Sequence, residues 1–346
     1  MVFHVPQKRR KGRFLFFVFL VLCAPFLGYA QTFEVSHAAE SEAPRGNALF
    51  FPRVYFTEYL EALSAGEAAR PYWVEGESEN LPVFPLERGG ESILLNNTVL
   101  AFYGHPLSQN MGILGRYPKE EINEQLGVLA KEYRAAGGRG VCKAFYIVYG
   151  TVWPEGEIGI LKEAVLKEYI EYALANDILV FIDHQIGKYK PVDALKKMLP
   201  YLAYPNVHLA LDPEWRTTKP MAEIGTISAE ELNQAQQVME EYLAENRIPG
   251  ERLLVIHQFN WRMISGRERV KSSFRRVRLV HCADGFGSPN VKRAAYAYNA
   301  QAANMPVKGF KLFYDSGIDG HGFDSPLLSP EEVMALDPQP YVVMYQ

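Results

Sequence analysis

From Thr98 onward the chain alternates two textures. Short β-branched or aromatic runs are separated by segments whose apolar residues recur every three or four positions, the pattern of βα units around a parallel sheet. Eight runs read as strands: "TVLAFY", "AFYIVYG", "ILVFID", "VHLALD", "LLVIHQF", "VRLVHC", "GFKLFYD" and "YVVMY". In "KEEINEQLGVLAKEYRAA", Ile122, Leu126, Leu129 and Tyr133 share a helix face, and "LKEAVLKEYIEYAL" repeats the pattern. "SAEELNQAQQVMEEYLAEN" opens with Ser228 and Glu231 in capping-box spacing. "SPEEVMAL" has Ser329, then Pro330 at the first helical position, then Glu332 three residues after the serine.

Eight such strands with helices between them predict a (β/α)8 TIM-like barrel over residues 98–346. The eighth strand sits at the C-terminus with no room for a helix after it. A helical patch near residues 55–69 is expected to close the outer ring there, within an otherwise irregular N-terminal extension, residues 31–97. The competing architecture is an open doubly wound sheet. No Gly-rich phosphate loop follows the first strand, which argues against it.

Residues 1–30 carry a different signal. "KRRKGR" is a basic segment, "FLFFVFLVLCAPFLGYA" is an apolar one, and Gly28 and Ala30 suit a signal-peptidase site before Gln31. The alternative is an uncleaved anchor, but the apolar run is short for a span and carries Pro25. Cys23 follows Leu22, where lipidation wants a small residue, so a lipid anchor is the weaker option. The protein is therefore expected to be exported, with no membrane span after cleavage.

Charge narrows the partners. Removing the five basic residues of the leader leaves 31 Lys and Arg against 40 Asp and Glu, a net charge of −9. That balance argues against nucleic acid and anionic membrane surfaces. Only Cys142 and Cys282 remain, with neither a disulfide framework nor zinc spacing, and both are expected to be free buried thiols. The sequence implies no cofactor and no resident metal, and it leaves the oligomeric state open.

The strand ends are where chemistry collects in such a barrel. Six of them are polar: Tyr103 and His105; Asp183, His184 and Gln185; Asp212 and Glu214; His257 and Gln258; His281 and Asp284; Tyr314 and Asp315. Alternation along a strand puts His208, Ala210, Asp212 and Glu214 on one face and Leu209 and Leu211 on the other. Small Ala210 suits the crowded interior, so both carboxylates of "ALDPEW" should aim at the barrel mouth. Pro213 fits a strand terminus and keeps Asp212 extended. By the same alternation Phe310, Leu312 and Tyr314 form one apolar face, leaving Lys311, Phe313 and Asp315 inward. An inward lysine is costly unless paired, so a mouth carboxylate is its expected partner.

"ALDPEW", "IGTISAEELNQAQ", "LLVIHQF", "DGFG", "GFKLFYD" and the terminal "YVVMYQ" resemble a family of predicted exported bacterial proteins described as lipoproteins or as uncharacterised. The resemblance spans roughly residues 98–346 and implies a barrel and export, but no activity. Asp183 and Gln185 match the family's Asp-x-Gln motif; Asp212, Glu214, His257, Gln258, Asp284, Lys311 and Tyr314 match the others. More loosely, an Asp-x-Glu at a barrel strand end is similar to glycoside hydrolases.

The leading expectation is hydrolysis of a glycosidic bond in an extracellular or cell-wall glycan, which needs an acid and a second carboxylate. Glu214 is the expected general acid. Asp212 would orient it or stabilise positive charge, and Asp183 or Asp284 would act as nucleophile or base. Tyr103, Gln185, His257, Gln258, Asp284, Lys311 and Tyr314 would contact substrate, with Trp215, Trp261 and Trp153 as stacking platforms. A metal-dependent phosphodiesterase-type hydrolase using Asp183, His184, Asp212, Glu214, His257 and His281 is a second reading. A barrel that binds a glycan or partner without turnover is a third. No Gly-x-Ser-x-Gly appears, which argues against a serine nucleophile.

Overall fold

A computed structural model describes residues 92–346 except positions 138 and 249. The expected signal peptide and the expected ring-closing helix near residues 55–69 lie outside the described residues. Eight parallel strands close into a barrel. They are β1 (Asn97–Gly104), β2 (Gly140–Val152), β3 (Leu179–Gln185), β4 (Val207–Asp212), β5 (Arg252–Gln258), β6 (Val277–Ala283), β7 (Lys308–Leu312) and β8 (Val342–Tyr345). Each pairs with the next, and β1 pairs with both β8 and β2, so no edge is left in the ring. Closure excludes the open doubly wound sheet. A short strand, Ile158–Ile160, adds antiparallel to the end of β2.

The connecting helices are α1 (Lys119–Gly137), α2 (Glu163–Ala175), α3 (Pro191–Met198), α4 (Ala229–Glu245), α5 (Pro289–Ala300) and α6 (Pro330–Met334). Both capping boxes form. Ser228 Oγ accepts from Glu231 N while Glu231 accepts from Ser228 N, and Ser329 and Glu332 do the same for α6. Each box satisfies orphan N–H groups that would otherwise weaken the helix start by about 1 kcal/mol. Among the described residues, no helix is long and apolar enough to cross a membrane.

The link from β5 to β6 departs from the pattern. It carries only single 3-10 turns, Trp261–Met263 and Arg267–Arg269, and a two-residue strand, Ile264–Ser265, paired with Ile227–Ser228. Amide side chains stand in for a helix by satisfying its backbone. Asn233 Nδ2 donates to Arg269 O, Gln236 Nε2 to Lys271 O, and Asn304 Nδ2 to the carbonyls of Arg267 and Val270.

Strand alternation sorts the apolar residues into two cores. Val99, Ala101, Ala144, Phe181, Ala210, Val255, Val280 and Met344 fill the barrel interior. Leu100, Ile147, Ile182, Leu209, Leu211, Ile256, Leu279, Phe310 and Leu312 pack outward with the helices. Near the floor of the interior, Arg278 Nη2 pairs with Glu251 Oε2 at 2.9 Å, both side chains buried. Neither cysteine forms a disulfide. Cys282 lies in the interior, whereas Cys142 is only partly buried, because it stands at the rim of the barrel where β2 begins.

Candidate active site

The C-terminal end of the interior holds four carboxyl groups and two cations. Asp183 is the third residue from the end of β3, Asp212 is the last residue of β4, and Asp284 is the residue after β6. Glu214 is placed differently from the strand reading. β4 ends at Asp212, which is extended at φ −111° and ψ 97°, and Pro213–Trp215 form a 3-10 turn. Strand alternation therefore does not position Glu214. The turn does, aided by Gly225, whose N–H donates to Glu214 O at 2.6 Å. A Cβ at Gly225 would stand 2.4 Å from Pro213 O, so only glycine permits that close approach. The turn is tied to the start of α4 by Arg216 Nη2, 3.3 Å from Glu231 Oε1.

Two cations reach into this group. Lys311 Nζ lies 3.4 Å from Asp284 Oδ2, the pairing expected of an inward lysine, and 3.9 Å from the centre of the Tyr103 ring. His257 is fully buried; its Nδ1 is 3.1 Å from Asp284 Oδ2 and its Nε2 is 4.0 Å from Asp183 Oδ2. Tyr103 donates its hydroxyl to Asp183 Oδ2 at 3.1 Å, and the Tyr146 hydroxyl is 2.7 Å from His257 Nε2. Tyr103, Tyr146 and Phe181 pack ring to ring at 5.3 and 5.1 Å, forming an aromatic shelf beneath the acids. Asp183 Oδ1 and Asp212 Oδ1 are buried without a hydrogen-bond partner.

Four acids against two cations set the protonation states apart. Burial raises Glu214 well above the usual carboxylate range, and the charges of Asp212 and Asp284 add to the effect. Burial likewise raises Asp212, to about 7, with Asp183 and Asp284 pushing the same way against His257 and Lys311. Asp183 is raised chiefly by burial. Asp284 goes the other way. Burial opposes its ionisation, but Lys311, His257 and the Gly285 N–H, 2.7 Å from its Oδ1, hold it below the ordinary range. Burial would strip the proton from His257, yet Asp284, Cys282 and Asp183 outweigh it and hold the imidazole charged. Carboxylates likewise overcome the burial of Lys311 and keep its ammonium protonated.

Several residues read from sequence stand elsewhere. Gln258 is on the outer face of β5, its Oε1 2.8 Å from His281 Nε2 and its Nε2 donating to Asn260 O. His184 also points outward, its ring 5.9 Å from that of Tyr149. Burial keeps both of these histidines neutral, and they are turned away from Asp183 and Asp212. The six side chains of the metal-ligand reading are thus split between two faces. Among the described residues, no group of three His, Cys, Asp or Glu side chains is arranged to hold a metal ion. Gln185 accepts the Val152 N–H at 2.7 Å, which fixes the end of β2. Trp215 is buried, whereas Trp153 and Trp261 are 54% and 64% exposed on loops at the mouth face. Tyr314 stacks on Tyr345 outside the barrel and lines a cavity of about 330 Å³ with Phe102, Arg116, Tyr117 and Phe313.

The sequence reading missed Tyr146, Lys292 and Asp324. Tyr146 could have been found, since it shares the inward face of β2 with Ala144 and Val148. Asp324 carries no local signal.

No protein-family model matches the chain, and no curated protein matches its sequence. Among solved structures, an oxaloacetate acetylhydrolase in complex with oxalate is similar at 10% identity and TM-score 0.42, over 72% of this chain and 74% of its own. A chitinase from Chromobacterium violaceum is similar at 10% identity and TM-score 0.35, over 62% and 68%. Endo-glycoceramidase II from Rhodococcus sp. is similar at 12% identity and TM-score 0.34, over 72% and 73%. Likenesses this distant carry no argument about the reaction, and the barrel rests on its own strand pairing.

Proposed function

We propose that the protein is an exported glycosidase-like hydrolase that cuts an extracellular or cell-wall glycan by carboxylate acid–base chemistry. The observation that carries this reading is the arrangement at the barrel mouth, where four carboxyl groups share only His257 and Lys311 and both Asp183 and Asp212 keep an unpartnered buried oxygen, a crowding that drives Glu214 toward the neutral acid while the cations hold Asp284 ionised. Pairs of carboxyl groups with separated pKa values are how one site supplies an acid and a charge stabiliser at the same pH.

In this reading Glu214, the most exposed of the four acids, protonates the leaving glycosidic oxygen. Asp212 lies beside it with a free Oδ1 and orients that acid or faces the developing positive charge. Asp183, whose Oδ1 is also unpartnered, is the candidate base or nucleophile. Asp284 is already engaged by Lys311, His257 and Gly285 N–H, so its part is electrostatic. Lys311 stays charged, which makes it a poor nucleophile and a good counter-ion. Export rests on the sequence of residues 1–30.

The test is release of reducing ends from a panel of cell-wall and extracellular polysaccharides by wild type and Glu214→Gln. The expected result is turnover by wild type and none by the folded variant. Equal turnover by both overturns the assignment. Binding without turnover by both favours a glycan-binding barrel.

A further inference from the structure

A second buried pair, Lys292 with Asp324, sits directly behind the site; its ion pair is internal, and of the site's carboxyl groups Lys292 feels the charge of Asp284. Lys292, in the first turns of α5, is buried with its ammonium pointed at the ends of β6 and β7. It donates to the carbonyl oxygens of Gly285 and Lys311 and lies 3.5 Å from Asp324 Oδ2. Its charge also rests near the rings of Phe310 and Phe313, at 4.9 and 5.1 Å. Asp324 completes the clasp from the far side. Its Oδ1 accepts the Gly287 N–H and its Oδ2 the Phe313 N–H, both at 3.0 Å.

The attachment points are specific. Gly285 follows Asp284, and the other carbonyl belongs to Lys311 itself. Gly287 and Phe313 lie two residues further along each segment. One Lys–Asp pair therefore grips both strand ends that carry the Asp284–Lys311 contact. In the "DGFG" turn Gly285 and Gly287 take φ of +87° and +151°, a region that favours glycine, and glycine brings no side chain to anchor the turn, so the clasp adds to the backbone contacts that hold it. At Gly285 a Cβ would stand 3.0 Å from Phe259 Cβ, so a stiffer residue is not an option there.

We propose that Lys292 and Asp324 are positioning residues that hold Asp284 against His257 and Lys311, and so set the charge of the site from outside it. The proposal rests on the carboxyl cluster being the functional centre, not on which bond is cut. Any buried ion pair needs hydrogen-bond partners, and what sets this one apart is where they lie: all four belong to the two strand ends that carry Asp284 and Lys311. The floor pair, Glu251 with Arg278, binds none of them.

The test reads His257 directly, by NMR titration of its imidazole in the full-length protein. The groups facing that ring are Asp284 and Cys282 from β6 and its end, Asp183 from β3, Asp212 from β4, Glu214 from the turn after β4, Tyr146 from β2 and Lys311 from β7. In Lys292→Met and in Asp324→Asn the titration midpoint of His257 is expected to fall by at least one pH unit, because Asp284 swings off the ring. In Glu251→Gln at the floor it is expected to stay where it is. An unchanged midpoint in folded Lys292→Met or Asp324→Asn overturns the proposal, and so does an equal fall in the floor variant. Should Lys292→Met fail to fold, Asp324→Asn, which keeps the side-chain volume and one accepting oxygen, decides the matter alone. The readout needs no substrate, so inactivity toward every glycan tried leaves this result standing and counts only against the proposed reaction.

Discussion

The barrel interior buries charge at both ends, and the two ends differ in balance. At the floor one acid meets one base: Glu251 and Arg278, 2.9 Å apart. At the mouth four carboxyl groups share two cations. A balanced buried pair holds its charges fixed and contributes little net stability over an apolar substitute. An overloaded cluster cannot ionise fully, so protons stay on its most crowded members. The histidines repeat the contrast. His208 and His281, without a carboxylate beside them, are kept neutral by burial, and His257, between Asp284 and Asp183, is kept charged. Imbalance, and not burial alone, sets the protonation states at the mouth apart from those at the floor.

The largest effect should come from removing the crowded acid. Glu214→Gln is expected to cut turnover about 10²- to 10⁴-fold, the usual contribution of a general acid. Thermal unfolding should hardly move, since a neutral carboxyl is replaced by a neutral amide. A fall in stability as large as that from breaking the floor pair would erase the distinction between the two ends.

Next come the cations. Lys311→Met and Arg278→Met should each cost about 3–5 kcal/mol in urea unfolding, because each strands a buried carboxylate. Only Lys311→Met should also move the pH profile. Lys311 lowers the pKa values of Asp212 and Glu214, so its loss raises them and carries the alkaline limb of activity to higher pH. A shift of that limb in Arg278→Met instead would show that the ends are not independent.

Stability against pH sharpens the comparison further. Asp212 has a folded pKa of about 7, above its unfolded value of about 3.9, so the folded state holds its proton more tightly. Its contribution is fully present below pH 4 and is lost as pH rises through 7, on the order of a few kcal/mol. Asp284, depressed when folded, contributes with the opposite slope, losing its share as pH falls below the ordinary carboxylate range. Unfolding free energies measured from pH 4 to 8 in wild type and Asp212→Asn should differ in slope, with the variant flatter. Smallest of all, Tyr103→Phe removes one hydroxyl from Asp183 and should cost about 1 kcal/mol while leaving the fold unchanged.

Much of this was legible along the chain. The eight strand runs, the inward face of β4 through Ala210, the outward face through Leu209 and Leu211, both capping boxes and the pairing of Lys311 follow from alternation and from the cost of burying a lone ammonium. Alternation failed where the chain stopped being a strand. Glu214 sits on a 3-10 turn whose path depends on Gly225, eleven residues on, and the β5–β6 link replaces a helix with amide clasps from α4 and Asn304.

Local pattern thus determined which residues line the barrel and which residue types gather at its mouth, because side-chain direction in a strand is a property of neighbouring residues. It could not decide which of the four acids keeps a proton, which histidine is charged, or that Lys292 and Asp324 clasp two strand ends from behind. Those depend on burial and on charges brought within a few ångströms by closure of the ring, and residues such as Asp183, His257 and Asp284, far apart in sequence, acquire their states only from one another.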